Sequence, residues 1–502
     1  MTGAVLPFFV AVPLAAAALA VVLPPRLARA VLVATPLVST AGAVALLVEH
    51  AENPVLVHQV GAFVPGIAIP LVSDTLSAVM LTVTGLTSAV CVAYAVLGGD
   101  ARLRFFPSLA LMLTAGVNGA LLTGDLFNLF VFVEVMLLPS YALIAMTGTW
   151  RRLGIGRLFV VVNLLTSTIF LVGVGLVYGV AGSVNMAVLA DADHDDPRFV
   201  LAVAVVLLAL TVKAGVVPMH GWLPRAYPAT SGTVMALFSA LHTKVAIYAI
   251  YRIHSVVLDG APDWTLLALG LALLTMLVGS YGSLGEKVIR RSLSWQMVAG
   301  VGYILLGLAI GSRLGLAAGL FYMVHHILVM GSLLLAAAAI EQTYRSGQFV
   351  RISGLMRREP LLATGTALAL LSLVGFPPSS GFFGKVGIVR AAAALDAPER
   401  VVVLVVVVVA SIGALVAMLR LWREVFWGPS LEEMPSRGST DTDPIDVPPG
   451  TRAPRRLVLP STVLLVASLG LFLVPGPAWD LAVDAADGLL DVSRYAAEVT
   501  GR

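Results

Sequence analysis

Long apolar runs separated by short polar breaks recur along the whole chain. A run of about 18 or more such residues can cross a hydrocarbon core of ~30 Å as a helix. The pattern predicts fourteen spans near residues 5–23, 30–48, 74–97, 105–122, 125–147, 157–181, 199–218, 232–253, 264–281, 295–311, 314–340, 360–376, 401–426 and 457–474. The twelfth continues brokenly to about residue 395. A last amphipathic stretch, Trp479 to Val499, is expected at the surface. The predicted fold is an all-α polytopic membrane protein.

Composition agrees. Hydrophobic residues make up 59% and charged residues 12%, about half the charged share of ordinary soluble chains. Val5 to Leu23 is preceded by no basic stretch and reads as a retained first span. With the N-terminus placed outside, 21 arginines and lysines fall on the cytoplasmic side and seven on the other, which supports fourteen spans and both termini outside. The basic residues flank spans without forming a patch, so nucleic acid is not expected as a partner. Cys91, the only cysteine, excludes a disulfide framework or a thiolate metal site. Residues 428–456 form a polar, Pro-rich cytoplasmic loop. The acidic DADHDDPR at 191–198 reads as a solvated outer loop, with concentration of cations near an entrance as the other reading.

The chain holds only four lysines, and three of them, Lys213, Lys244 and Lys385, lie in apolar segments. Arginine keeps its proton under ordinary conditions, whereas a desolvated lysine can release one. Glu134, within LFVFVEVMLLPSYALIA, is a fourth intramembrane charge. A bare charge at mid-membrane costs at least ~2.5–3.5 kcal/mol, so it normally faces a polar interior, has a partner and marks a pathway. Four together point to a row of protonatable groups inside the membrane.

Pro139 and Pro218 each lie five residues after one of these groups, Glu134 and Lys213. A helical proline frees the carbonyl four residues back, here Val135 and Ala214. Lys385 follows a break at Gly375, Pro377, Pro378 and Gly381. Interrupted helices at corresponding places in two halves are a pointer to inverted repeats with a site at mid-depth. His242, two residues before Lys244, and the mid-span pair His325 and His326 could relay protons or be buried structural histidines. His220 in PMHGWLP reads as an entrance or an interfacial residue, and Asp74 as a helix cap. There is no Walker loop, dinucleotide fingerprint, haem or iron–sulfur spacing, or HExxH, so no cofactor is expected.

The segments KAGVVPMHGWLPRAYPATSGTVMALFSALHTKVAIYAIYRI (213–253) and EKVIRRSLSWQMVAGVGYILLG (286–307) resemble the signature of the antiporter-like subunits. That family is shared by respiratory complex I, membrane-bound hydrogenases and Mrp-type multisubunit cation/proton antiporters. GDLFNLFVFVEVMLLPSYALIA (124–145) and a lysine at 385 most resemble the D-type branch of the Mrp antiporters. The resemblance implies two inverted five-helix repeats, spans 4–8 (105–253) and 9–13 (254–427), each with a broken helix. Spans 1–3 (1–104) precede them, and the loop 428–456, span 14 and the tail (457–502) follow. It also implies a proton path along Glu134, Lys213, Lys244, His325 or His326, and Lys385. Glu134 and Lys213 are expected to act as a switchable ion pair, because separation would leave the lysine desolvated and ready to release its proton. Further implications are partner subunits including a larger A-type and a C-type subunit, protons and monovalent cations as cargo, and a bacterial cytoplasmic membrane. The other reading is an N-like subunit of an NADH:quinone oxidoreductase or a membrane-bound hydrogenase.

Overall fold

The structure is a computed structural model that describes residues 2–146, 150–260, 264–429, 448 and 450–502. Helices cross in the predicted order: α1 (Phe8–Val22), α2 (Pro25–Glu49), α3 (Thr75–Gly98), α4 (Phe106–Leu122), α5 (Leu126–Ala145), α6 (Trp150–Ala181), α7 (Pro197–Ala214), α8 (Gly232–Arg252), α9 (Thr265–Gly282), α10 (Ile289–Ile310), α11 (Arg313–Tyr344), α12 (Pro360–Val374), α13 (Ser380–Ala392), α14 (Ala397–Phe426) and α15 (Arg455–Leu473). Among the described residues, twelve helices are long and apolar enough to span a membrane, and Phe106–Leu122 and Pro360–Val374 are shorter apolar ones. Most of the polar loop 428–456 lies outside the described residues.

The spans carry large exposed side chains such as Val161, Leu201 and Val405 on their outer faces, where hydrocarbon is the natural solvent. The centre is polar by comparison. Helix α8 is buried from Thr233 to Arg252, and α10 and α11 are buried nearly throughout.

Two spans are interrupted. Helix α7 stops at Ala214 because Gly215 turns left-handed (φ 80°), which a glycine adopts without Cβ strain. A turn and the short helix Leu223–Ala226 then complete the crossing. Pro218 therefore lies in the break, outside the helix, and the expectation of a freed carbonyl at Ala214 within a continuous helix is corrected. Pro139, by contrast, does sit inside α5. Helix α12 ends in the same way at Gly375 (φ 88°), and α13 starts after Pro377 and Pro378. One interrupted span thus falls in each predicted five-span set, and five crossings reverse the direction of travel between the sets.

The loops gather into two faces. On one, Ser231 bonds Asp100, Gln342 bonds the Gly98 carbonyl, and Arg290 pairs with Glu341 at 2.7 Å. On the other, a two-stranded antiparallel hairpin not expected from the sequence, β1 (Val55–Gln59) with β2 (Pro70–Asp74), leads into α3. Asp74 caps α3 as predicted, accepting from the Ser77 amide. It also pairs with Arg252 at 2.7 Å. By its place at the end of the predicted span 232–253, Arg252 counts as an outer flanking charge, yet it is 2% exposed, because it ends α8 inside the bundle and finds its carboxylate there. The C-terminal amphipathic stretch forms α16 (Pro475–Leu490) and α17 (Val492–Thr500). They strap this second face through Arg313–Asp487, Arg502–Asp191 and the Tyr495 ring beneath Arg252.

Candidate functional site

Helix α5 places Glu134 half-buried at mid-helix, and α7 places Lys213 one residue before its end, 6% exposed. The two expected partners are joined through Ser167 of α6, which stands between them. The Lys213 ammonium donates to Ser167 Oγ at 2.9 Å, and Ser167 Oγ donates to Glu134 Oε1. One hydroxyl thus serves as acceptor for the cation and, with its single hydrogen, as donor to the anion. The Val212 carbonyl, in the last turn of the helix, accepts from the Gly215 amide at 3.1 Å and from the Trp222 indole at 2.9 Å, which anchors the break beside Lys213.

Helix α8 carries the next two groups on opposite faces, since residues two apart on a helix do not face each other. His242 bonds Ser140 Oγ at 2.9 Å and is stacked on Phe238 with ring centroids 4.3 Å apart. It lies within electrostatic range of Lys213. Lys244 is fully buried, donates to Thr243 Oγ1 at 3.2 Å, and lies within electrostatic range of His326. The two are sequence neighbours that serve different sides of the helix.

Helix α11 presents both His325 and His326, each fully buried. His325 Nδ1 bonds Ser380 Oγ at 2.8 Å, and Ser380 in turn bonds Ser468 Oγ at 2.9 Å. Lys385, on α13, closes the row. Its ammonium donates to the Val374 carbonyl at 2.8 Å, Ser411 Oγ at 3.0 Å and Tyr303 Oη at 3.2 Å, and sits over the Tyr303 ring 4.3 Å from its centroid. Val374 is the last residue of α12, so the lysine caps the negative end of that half-helix. Glycines make the close approaches: a Cβ on Gly300 would lie 1.9 Å from His326 Nε2, and one on Gly375 would lie 2.8 Å from Lys385 Cδ.

The structure therefore brings Glu134, Lys213 and His242 together at one end, Lys244 and His326 at the centre, and His325 and Lys385 at the other. His220 is apart, half-buried in the turn after the first break with its ring 5.4 Å from that of Trp295. Sequence reasoning missed Ser167, Ser380, Tyr303 and Ser411; serine and tyrosine are ordinary in such helices, and nothing but position distinguishes these. Among the described residues no group of histidine, cysteine or carboxylate side chains has metal-holding geometry. What the row can do chemically is hold, and hand on, a small number of protons between amines and imidazoles within a buried layer.

Comparison with known proteins agrees with this geometry. Residues 123–413 match the family described as NADH:quinone oxidoreductase/Mrp antiporter, TM. The chain is 33% identical to the D-type subunit of the Na(+)/H(+) antiporter of Alkalihalophilus pseudofirmus, over 90% of this chain and 89% of that protein. It is 34% identical to the N-type subunit of the NADH-quinone oxidoreductase of Desulforudis audaxviator, over 88% and 90%. Among solved structures, a chain of the Mrp complex from Dietzia sp. superposes with a TM-score of 0.94 at 42% identity, covering 100% of both chains. A chain of the respiratory complex I from Thermus thermophilus gives 0.73 at 27%, over 96% and 100%. On the family match and these relatives, the chain belongs to the NADH:quinone oxidoreductase/Mrp antiporter transmembrane family.

Proposed function

We propose that this chain is the proton-translocating D-type membrane subunit of a multisubunit Na+ (monovalent cation)/H+ antiporter, a transporter subunit and not an enzyme. The carrying observation is the row of ionisable side chains, half-buried at Glu134 and buried from Lys213 to Lys385, joined at its start by Ser167 and spread across both five-span sets. The relatives named as D-type antiporter subunits, and the overlay on the Mrp complex, support that assignment over the oxidoreductase reading. That second reading keeps one specific observation in its favour, the 34% identity to an N-type oxidoreductase subunit. Its partners are other antiporter subunits, including an A-type and a C-type subunit, and its place is the bacterial cytoplasmic membrane with both termini outside.

These contacts support one mechanism. While Ser167 bonds both sides, the Glu134 carboxylate compensates the Lys213 ammonium at one remove. A χ1 rotation of Ser167 carries Oγ away from both partners, breaks both bonds together and leaves a buried ammonium uncompensated, which is costly in an apolar surrounding. Release of the proton toward Lys244 and the histidines, and on to Lys385, relieves the cost. A hydrogen bond to a charged group contributes about 1.5–3 kcal/mol, comparable to moving one charge through ~100 mV. The link is therefore of the size needed to couple to a membrane gradient.

Cation-dependent proton exchange in vesicles carrying the whole complex tests this reading. Exchange with sodium that disappears in Lys213→Ala, with the complex still assembled, is the expected outcome. Undiminished exchange in the mutant would reduce this subunit to a scaffold.

A further inference from the structure

His326 is fully buried, and among the described residues neither ring nitrogen has a partner in hydrogen-bond geometry; the Gln296 backbone comes close without completing one. Gln296 itself is 2% exposed, and its amide Nε2 is likewise unpartnered. Buried polar atoms in native structures are nearly always bonded, to protein or to water. Gln296 lies one turn before Gly300, against which His326 packs, so two such groups close together on this face point to water near them.

The rest of helix α10 shows where that water would enter. Ser292, Gln296 and Gly300 recur every four residues and so share one face of the helix. Gly300, having no side chain, leaves the space that His326 Nε2 occupies. At the other end, Ser292 Oγ bonds Ser283 Oγ at 2.7 Å, beside the exposed Gly285, Lys287 and Arg291. The antiparallel register of α9 on α10, fixed by Ser283 against Ser292 and Gly279 against Ala299, sets Ser280 level with Gln296. Ser280 is fully buried with its hydroxyl unpartnered, and lies one turn from Ser283 on the same face. Polar groups thus stand one helical turn apart, about 5–6 Å, a spacing that single waters bridge.

We propose that this lane, from the Ser283–Ser292 pair past Ser280 and Gln296 and over Gly300, is a hydrated path from the arginine-rich face to His326. Protons reach the centre of the row through it without passing Glu134 or Lys213. Gln296 is its positioning residue, holding water against the imidazole. His326 is then the histidine that meets the solvent path, while His325, fixed to Ser380, faces Lys385. The inference rests on the transport reading above for its direction and its purpose, and on geometry alone for the hydration.

Thiol accessibility separates the two. In the assembled complex with Cys91→Ala, Gln296→Cys and the control Val298→Cys, on the far side of α10, are each exposed to a charged methanethiosulfonate reagent. Inside-out and right-side-out vesicles are compared, and modification is read on this subunit by peptide mass. Gln296→Cys is expected to react at least about tenfold faster than Val298→Cys, as a hydrated position does against a packed one, and only from the arginine-rich face. Equal rates, or access from the opposite face, overturn the lane. In exchange assays Gln296→Leu should lower the rate by at least about tenfold, the equivalent of one lost buried polar contact, with Gln296→Glu restoring most of it. Full exchange in an assembled Gln296→Leu complex also overturns the proposal. Should Gln296→Leu fail to assemble, Gln296→Glu and the labelling decide. Absence of cation-dependent exchange in the unmodified complex would sink the transport reading while the labelling still answers for the lane.

Discussion

Lys213 and Lys385 both sit at the break of an interrupted helix, yet they are held by opposite means. Lys213 reaches a carboxylate through a single serine hydroxyl. Lys385 has three neutral oxygens and a tyrosine ring, with no carboxylate among the described residues bonded to it. At the first, the compensating charge can be disconnected by one side-chain rotation. At the second, compensation is spread over a helix end, two hydroxyls and a π face, none of which carries a formal charge. On the proposed transport reading, the first site would act as a switch and the second as a terminus, a place where a proton is held by moderate forces and can leave.

Perturbing each site in turn gives effects that should be ranked. Lys213→Ala is expected to reduce exchange to background, because no other amine in the first set can bond Ser167; the vesicle assay reads it directly. Glu134→Gln should come next, with a loss of about tenfold to about 150-fold, corresponding to the ~1.5–3 kcal/mol of a charged hydrogen bond. Ser167→Ala should fall close to it, since one hydroxyl carries both bonds, and Ser167→Thr, which keeps the hydroxyl, should recover most of the rate. At the other site, Ser411→Ala and Tyr303→Phe should each cost only about fivefold, a contact of ~1 kcal/mol with other acceptors remaining. If the two sets of serine and tyrosine mutants proved equally damaging, the contrast between switch and terminus would be lost.

A structural ion pair supplies the control. Burial by itself pushes the Asp74 carboxyl up, and the charge and hydrogen bonds of Arg252 outweigh that and hold it below the ordinary carboxylate value. A depressed carboxylate contributes stability above its unfolded value of ~3.9 and loses it as pH falls through the folded value. Asp74→Asn leaves Arg252 buried and unpaired, a cost of about 3–5 kcal/mol. The thermal midpoint of the purified complex should drop and lose that part of its acid dependence, while exchange per assembled complex stays within about twofold.

Much of this is legible in the chain. Spans of the right length, the rarity of lysine outside them, and the Pro and Gly breaks are enough to place the row. Gly215, two residues after Lys213, carries the signal for where α7 stops, and weighing it above Pro218 would have placed the helix end correctly. The linking hydroxyls are not legible, because Ser167 is separated from Glu134 by 33 residues and from Lys213 by 46. Periodicity puts such a residue on a face but cannot say which helix it meets. The same holds for Arg252 and Asp74, 178 apart, read as a flanking charge and a cap and found as a buried pair. The hairpin at Val55–Gln59 and Pro70–Asp74 escapes because five-residue strands between long spans carry too little pattern.

The central claim is that the amine at residue 213 must be able to release its proton, and Lys213→Arg tests it most directly. Arginine keeps the charge and can still donate to Ser167, but it does not give up a proton. Sodium-dependent proton exchange measured in vesicles, on complexes matched for assembly, should be as deficient in Lys213→Arg as in Lys213→Ala. Exchange at the unmodified rate in Lys213→Arg would show that a fixed positive charge suffices, and would contradict the account.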